Sequence, residues 1–427
     1  MAALAETLEE YFDRLWPINR SIAGPGLRAS LDVLSDLIPT ERHRFPTGTR
    51  VFDWEVPREW EVREAYIVDS NGRRRADFAE HNLHLVAHST PVRARMSLAE
   101  LRPHLHSLPD QPDAIPYVLS LYAENWGFCL SDRELRDLPD GEYEVVIDSQ
   151  LRPGHVEIGE AVLPGECEDE VLFSSYLCHP SLANNELSGP LAIAALYDRL
   201  SRRPRRRLTY RFLLGAETIG TLCFLSLRGS HLRERLRAGY VVTCVGDRGP
   251  LTLKTSRRGD SLADRAARQV LDEIGEHSVI PFDPGNGSDE RQYCSPGFDL
   301  PVASVMRTMY SCFPEYHTSR DDKSFIDFPH LAGSVAVYEQ IVDALEHNLV
   351  WWNTVQYGEP QLGKRGLYPG TNANAPFELK PTMWMLNLAD GEHDLLAIAQ
   401  RSGQPLAGLV DAATKLSAAG LLTLQPG

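Results

Sequence analysis

Residues 168–200 read EDEVLFSSYLCHPSLANNELSGPLAIAALYDRL. The opening EDEVLFSSYL is an apolar run with the length of a buried strand. A polar turn follows and closes on Ser188-Gly189, and GPLAIAALYDRL then carries the apolar spacing of a helix. The same alternation continues downstream. RLTYRFLLGA (207–216) reads as a strand and GTLCFLSLRG (220–229) as a helix. YVVTCVG (240–246) is a strand, SLADRAARQVLDEIG (261–275) a helix, LPVASVM (300–306) a strand, and HLAGSVAVYEQIVDALEHNL (330–349) a closing helix. This pattern predicts an α/β fold, a doubly wound sheet of parallel type covered by helices on both faces. Ligands in such sheets bind at the carboxyl ends of the strands.

The flanks differ in character. Residues 1–40 predict two helices broken at Gly24-Pro25-Gly26. From about 45 to 150, short β-type runs (VFDWEV, REAYIVDS, LHLVAHST, YEVVIDS) alternate with turn signals such as Asn71-Gly72, and residues 101–126 look irregular. Residues 350–376, rich in Gly, Pro and Asn, read as a linker. Beyond 377 the pattern is compact and helical. Asp390 is expected to cap a helix through Leu395, Leu396 and Ile398, a second helix runs to Gly420, and LLTL forms a wing, so this part resembles a winged helix.

Composition excludes some functions. With 427 residues, 43% of them hydrophobic, there is material for a large core, and the formal net charge of −16 argues against general nucleic-acid binding. The winged-helix segment carries Glu378, Asp390, Glu392, Asp394 and Asp411 against Lys380, Arg401 and Lys415, too few cations for a groove reader. The basic run at 199–211 sits at a helix end, where cations complement the dipole. His81, His84 and His88 lie in a β-like segment and read as core or surface side chains. The N-terminus lacks the form of a signal peptide, and no apolar stretch has membrane-spanning length, so no membrane association is expected. Seven scattered cysteines without C-x-x-C spacing point to a reducing, cytoplasmic setting.

Four strand ends deliver residues that bind metals. YLCHP supplies His179, FLLGAETIG supplies Glu217, VVTCVGD supplies Asp247, and the later EYHTSRDD supplies His317. They are separated by one or two β-α units, which a doubly wound sheet gathers at one rim. Two imidazoles and two carboxylates suit zinc.

Together with the words around them (HPSLANNELSG, AETIGT, TCVGD, GSDERQYCSPG and PEYHTSRDD), these residues resemble the di-zinc aminopeptidases of the exopeptidase fold, relatives of glutamate carboxypeptidase and glutaminyl cyclase. The likeness is nearest to a bacterial aminopeptidase-like branch with an inserted β domain and a C-terminal winged helix. It implies an exopeptidase-like domain over 1–44 and 151–349, an inserted mostly β domain over 45–150 and a winged-helix-like domain over 377–427. It also implies one or two zinc ions, one held by His179 and Asp247 and another by Glu217 and His317. Position 185, an aspartate bridging both ions in that family, is Asn185 here. Asp289 would orient ligands or a substrate amine, and Asp321 would brace the His317 loop. Two further departures are visible. The family's consecutive glutamates are Ala216-Glu217, so Glu217 is either ligand or base, with Glu186 and Glu290 as candidates for the other role. The acid two positions after the first histidine is Ser181.

The function these residues predict is zinc-dependent hydrolysis of an amide bond beside a free amine, in a small peptide or an aminoacylated metabolite. Tyr293 or Tyr316 could help hold an oxyanion, and Arg291 and Arg307 could clamp a substrate carboxylate. The alternatives are a single-zinc amide transferase like glutaminyl cyclase and an inactive binding scaffold. Oligomeric state is open, a homo-oligomer included.

Overall fold

The computed structural model describes residues 2–121, 123–367 and 379–424. They form two compact units, one of residues 1–263 with 278–336 and the other of residues 264–277 with 337–427.

The larger unit carries an eight-stranded sheet in the order Glu41–Pro46, His155–Leu163, Thr209–Gly215, Glu170–Tyr176, Leu236–Val241, Val302–Met306, Leu251–Lys254, His277–Ile280. Its central pairings, from Thr209–Gly215 across to Val302–Met306, are parallel. Glu41–Pro46, His155–Leu163 and Leu251–Lys254 pair antiparallel. The sheet is thus mixed, a parallel centre with antiparallel margins. The turn 164–169 between His155–Leu163 and Glu170–Tyr176 is too short for the crossover that a parallel strand needs.

All seven residues of Glu170–Tyr176 are buried, as a central strand requires. Glu170 is tolerated there because Arg211 pairs with it at 2.6 Å. A π-turn, Ala183–Leu187, leads into the helix Ser188–Ser201, which packs on Glu170–Tyr176 and Thr209–Gly215. The helix enters where only glycine fits: a Cβ on Gly189 would lie 2.1 Å from the Val242 carbonyl oxygen.

Inserted into this unit is a four-stranded antiparallel sheet, Arg74–Arg75, Glu59–Val68, Glu142–Arg152 and Val92–Ser97, around its own core of Trp60, Ile67, Phe128, Tyr143 and Ile147. Its irregular stretch is tied to the loop that carries His317. Tyr117 N–H donates to the His317 carbonyl at 2.8 Å, Ser319 N–H to Ile115 at 2.8 Å, and the Gln111 amide to Pro314 at 2.9 Å. The histidines of this region have structural partners: His81 caps a short turn, His84 meets the Cys129 carbonyl, and His88 stacks on Trp60.

In the smaller unit, Val350–Asn353 pairs with both Asp390–Asp394 and Leu422–Leu424, and the helices Leu379–Leu388, Leu395–Ser402 and Leu406–Ala418 follow in the same C-terminal stretch. Two expectations are corrected. The segment read as a linker begins with a strand, its Trp351-Trp352 pair being strong β-formers, while residues 368–376 lie outside the described residues. The helix cap is Asp394, which accepts the Ala397 N–H at 2.8 Å and pairs with Arg265 at 2.5 Å. Asp390 instead turns the strand by accepting the Glu392 and His393 N–H groups. Among the described residues no helix is long and apolar enough to cross a membrane.

His88 is 3% exposed, and burial pushes its pKa down to about 4. The fold accepts the neutral ring. Stability is therefore present above the ordinary value of 6.5 and is lost as pH falls toward 4. The thermal midpoint should drop between about pH 7.5 and about pH 4.5, and His88→Phe should remove part of that drop, at most about 3 kcal/mol.

Candidate metal centre at the strand ends

His179 stands just past Glu170–Tyr176, and Glu217 just past Thr209–Gly215. The His179 ring is fixed from behind. Its Nδ1 meets Glu186 Oε2 at 2.6 Å, while Glu186 Oε1 accepts the backbone N–H groups of Cys178 and His179. This leaves Nε2 turned toward Glu217 Oε2, 3.8 Å away. The other Glu217 oxygen accepts the Ser288 hydroxyl at 2.7 Å. The His317 ring centre lies 5.3 Å from that of His179, and Tyr316 stacks on His317 at 3.9 Å. Tyr117 leans in from the inserted β unit, 5.1 Å from His179 and 5.2 Å from His317.

The backbone around this cluster is strained. Ser181, Thr218, Cys244 and His317 all have positive φ, between 48° and 62°. Such conformations are costly for residues with a Cβ, above all for a β-branched one like Thr218, and they persist where the surroundings over-determine them. Thr218 is pinned by its N–H to Asp289 Oδ1 at 2.7 Å.

Burial governs the charges. It drives His317 down to about 3, with His179 adding to the effect. It drives Asp289 up to about 8, helped by Glu217, and Asp321 up to about 7. Burial opposes a charge on His179 too, but Cys178, Tyr117 and Glu186 outweigh it and hold its pKa well above the ordinary value. Arg20, fully buried, is lowered to about 10. It donates to the carbonyls of His179 (3.0 Å) and Leu15 (2.7 Å) and lies 4.0 Å from Glu186.

Several candidates fall elsewhere. Asp247 does not join the cluster: it accepts Asn184 Nδ2, Gly249 N–H, and Thr308 N–H and hydroxyl. Its strand stops at Val241, and position 185 is met by Thr243, whose hydroxyl donates to the Asn185 carbonyl at 2.9 Å, and by the Cys244 thiol, 3.9 Å from Asn185 Oδ1. Glu290 is sealed in the interior with Lys254 (2.7 Å) and Tyr310 (3.0 Å), and Glu186 is committed beneath His179, so neither opens on the cleft as a base. Arg307 is used up on Ser334, Gly249 and His330, which removes it as a carboxylate clamp, and Arg291 donates its Nε to the Ser288 carbonyl. Tyr293 donates to Ser174 inside the core. Asp321 braces the π-turn, accepting the Asn184 and Asn185 N–H groups at 2.7 and 2.9 Å. Sequence reasoning missed Tyr117, Arg20 and the role of Glu186 as the partner of His179, the place left open by Ser181.

Among the described residues, the donor atoms that converge at His179 within 4.8 Å of one another are those of Cys178, His179 and Glu186; Glu217 Oε2 and the His317 ring approach the same histidine from its cleft side, and two imidazoles with a carboxylate are donor types that zinc takes. Thr218 lines the cleft beside them, while Asn185 and Thr243 are buried. The amide nitrogen of Asn185 is buried without a hydrogen-bond partner, and an amide cannot share charge between two ions as a bridging carboxylate does. Position 185 therefore offers no bridging carboxylate. Ile22, Trp54, Leu119, Leu121 and Ile219 enclose a cavity of about 150 Å³ that opens onto His179 and Glu217.

Residues 9–348 match the model of a family described as a domain of unknown function, DUF4910, and residues 349–424 match a winged helix-turn-helix family. A protein from Clostridium acetobutylicum, provisionally named a polysaccharide biosynthesis protein with an aminopeptidase-like domain, is 42% identical over 96% of this chain and 95% of its own. The crystal structure of a provisionally assigned peptidase from the same organism superposes with a TM-score of 0.93 at 41% identity, covering 99% of this chain and 97% of that one. A zinc aminopeptidase from Bacillus subtilis shares the fold, with a TM-score of 0.58 at 13% identity over 79% of this chain and 93% of its own.

Arg20→Met should cost about 3–5 kcal/mol in urea unfolding, because it removes a fully buried charge from beside Glu186 and orphans the Leu15 and His179 carbonyls. A loss under about 1 kcal/mol would show that Glu186 does not need that partner.

Proposed function

The chain belongs to the DUF4910 family, and from the geometry of its cleft we propose that it is a single-zinc amide hydrolase of the aminopeptidase type. The observation that carries this reading is the approach of His179 Nε2, Glu217 Oε2 and the His317 ring at the carboxyl ends of parallel strands, where this fold places ligands. These three residues would hold the ion. When bound, zinc supplies Lewis acidity and lowers the pKa of a water molecule.

The protein's own groups do the rest. Glu186 orients His179 and keeps its Nε2 available. Ser288 holds one Glu217 oxygen so that the other faces the histidine. Tyr117, half-buried and raised in pKa by that burial, stays protonated as a hydrogen-bond donor beside Glu217 and His179, placed to meet the oxyanion of a tetrahedral intermediate. The inserted β unit, which we assign to residues 45–150, walls the cleft with Trp54, Leu119 and Leu121 and limits the size of what enters. The substrate would be an aminoacyl or acyl amide of a small metabolite, in keeping with the saccharide-related name of the Clostridium relative.

A second reading, a binding scaffold without metal, draws on the neutral Asn185, Thr218 and Thr243. Metal analysis separates the two. We expect about one zinc per chain, lost in His317→Ala, and hydrolysis of aminoacyl amides that follows zinc content. A metal-free chain that folds normally and cleaves nothing would leave the scaffold reading standing. Tyr117→Phe should retain zinc and lower kcat by roughly 100-fold with KM little changed; an unchanged kcat removes Tyr117 from the chemistry.

A further inference from the structure

Tyr117 lines two spaces. One is the small cavity at His179 and Glu217, and the other is a cavity of about 600 Å³ that reaches His317. The larger one is built by the inserted β unit (Leu105, His106, Gln111 and Val118 among its walls) and by Tyr316, His317 and Thr318. Although 24% of the chain is Asp, Glu, Lys or Arg, none of these lines it. His106 is held toward its neutral form by burial and by neighbouring His104. The wall is therefore uncharged but rich in hydrogen-bonding groups. The Gln111 amide donates to Pro314 and keeps its oxygen for another partner, and the rings of Tyr117, Tyr316 and His317 provide flat apolar faces.

Such a wall discriminates by charge. The free carboxylate of an amino acid or peptide leaving group would lose water here with no lysine or arginine side chain to replace it, which disfavours its binding. A neutral polyol finds donors, acceptors and a ring face instead. We propose that this cavity binds the amine-bearing half of the substrate and that this half is an uncharged sugar ring, so that the amide cleaved is that of an N-acylated amino sugar. The inference rests on the hydrolase reading above for the reaction, but not for the binding. In that reaction the bond between acyl carbon and sugar nitrogen breaks, the hydroxyl of water joins the acyl carbon, and its proton goes to the nitrogen.

The test is binding of N-acetyl-D-glucosamine to the full chain by saturation-transfer NMR and calorimetry, with the dipeptide Leu-Asp as the charged comparison. The sugar should bind at least about tenfold more tightly than the dipeptide, and both Val118→Trp, which fills the cavity, and Gln111→Glu, which charges it, should weaken the sugar at least about tenfold. Unfolding midpoints and zinc content of both variants report on the fold. Absence of sugar binding, equal binding of Leu-Asp, or sugar binding untouched by both variants overturns the proposal. Cavity-dependent sugar binding without any hydrolysis would sink the hydrolase reading and leave the cavity assigned. Hydrolysis of aminoacyl arylamides without sugar binding would do the reverse.

Discussion

The buried carboxylate of Glu186 is the constraint on which the site depends. It takes the Nδ1 side of His179, accepts two backbone N–H groups of the same turn, and sits beside the enclosed guanidinium of Arg20. Everything in front of the histidine follows. With Nδ1 occupied, Nε2 is the atom left for the cleft, and its direction is set by a rigid turn and not by solvent. Arg20 reaches this place from the connection between the two N-terminal helices through the carbonyls of Leu15 and His179, so one charge pair joins those helices to the rim of the sheet.

A second support comes from outside the sheet. Ser288 and Asp289 hold Glu217 and Thr218, and the short turn they occupy is anchored by the buried Lys254–Glu290–Tyr310 group. The third side, His317 with Tyr316, is held by hydrogen bonds to the inserted β unit, which also supplies Tyr117. The insertion is thus part of the site's framework, not a lid resting on it. This is how two imidazoles and a carboxylate come to approach one another although position 185 carries an amide.

Much of this was legible in the sequence. The strand–turn–helix pattern at 168–200 placed His179 at a strand end, and the next unit placed Glu217 likewise. Asp247 was misplaced because the apolar run continues past the end of its strand at Val241, and periodicity does not mark where pairing stops. The strand His155–Leu163 escaped notice because Glu157 and Glu160 break its apolar character; both are buried, but only because Arg44, Arg42, Arg211 and Arg228 neutralise them from other segments. Tyr117 carries no local signal at all. It lies in a stretch without regular spacing, and its position is set by pairing with a loop far along the chain.

That long-range pairing has a consequence for synthesis. The Gln111 amide finds its acceptor 203 residues later. At ordinary elongation rates of about 5–20 residues per second, the segment around Tyr117 spends roughly 10–40 seconds on the ribosome before its partner loop emerges. The inserted β sheet can form early around its own apolar centre, but this one flank must wait with unpaired backbone groups until nearly the whole larger unit has been translated.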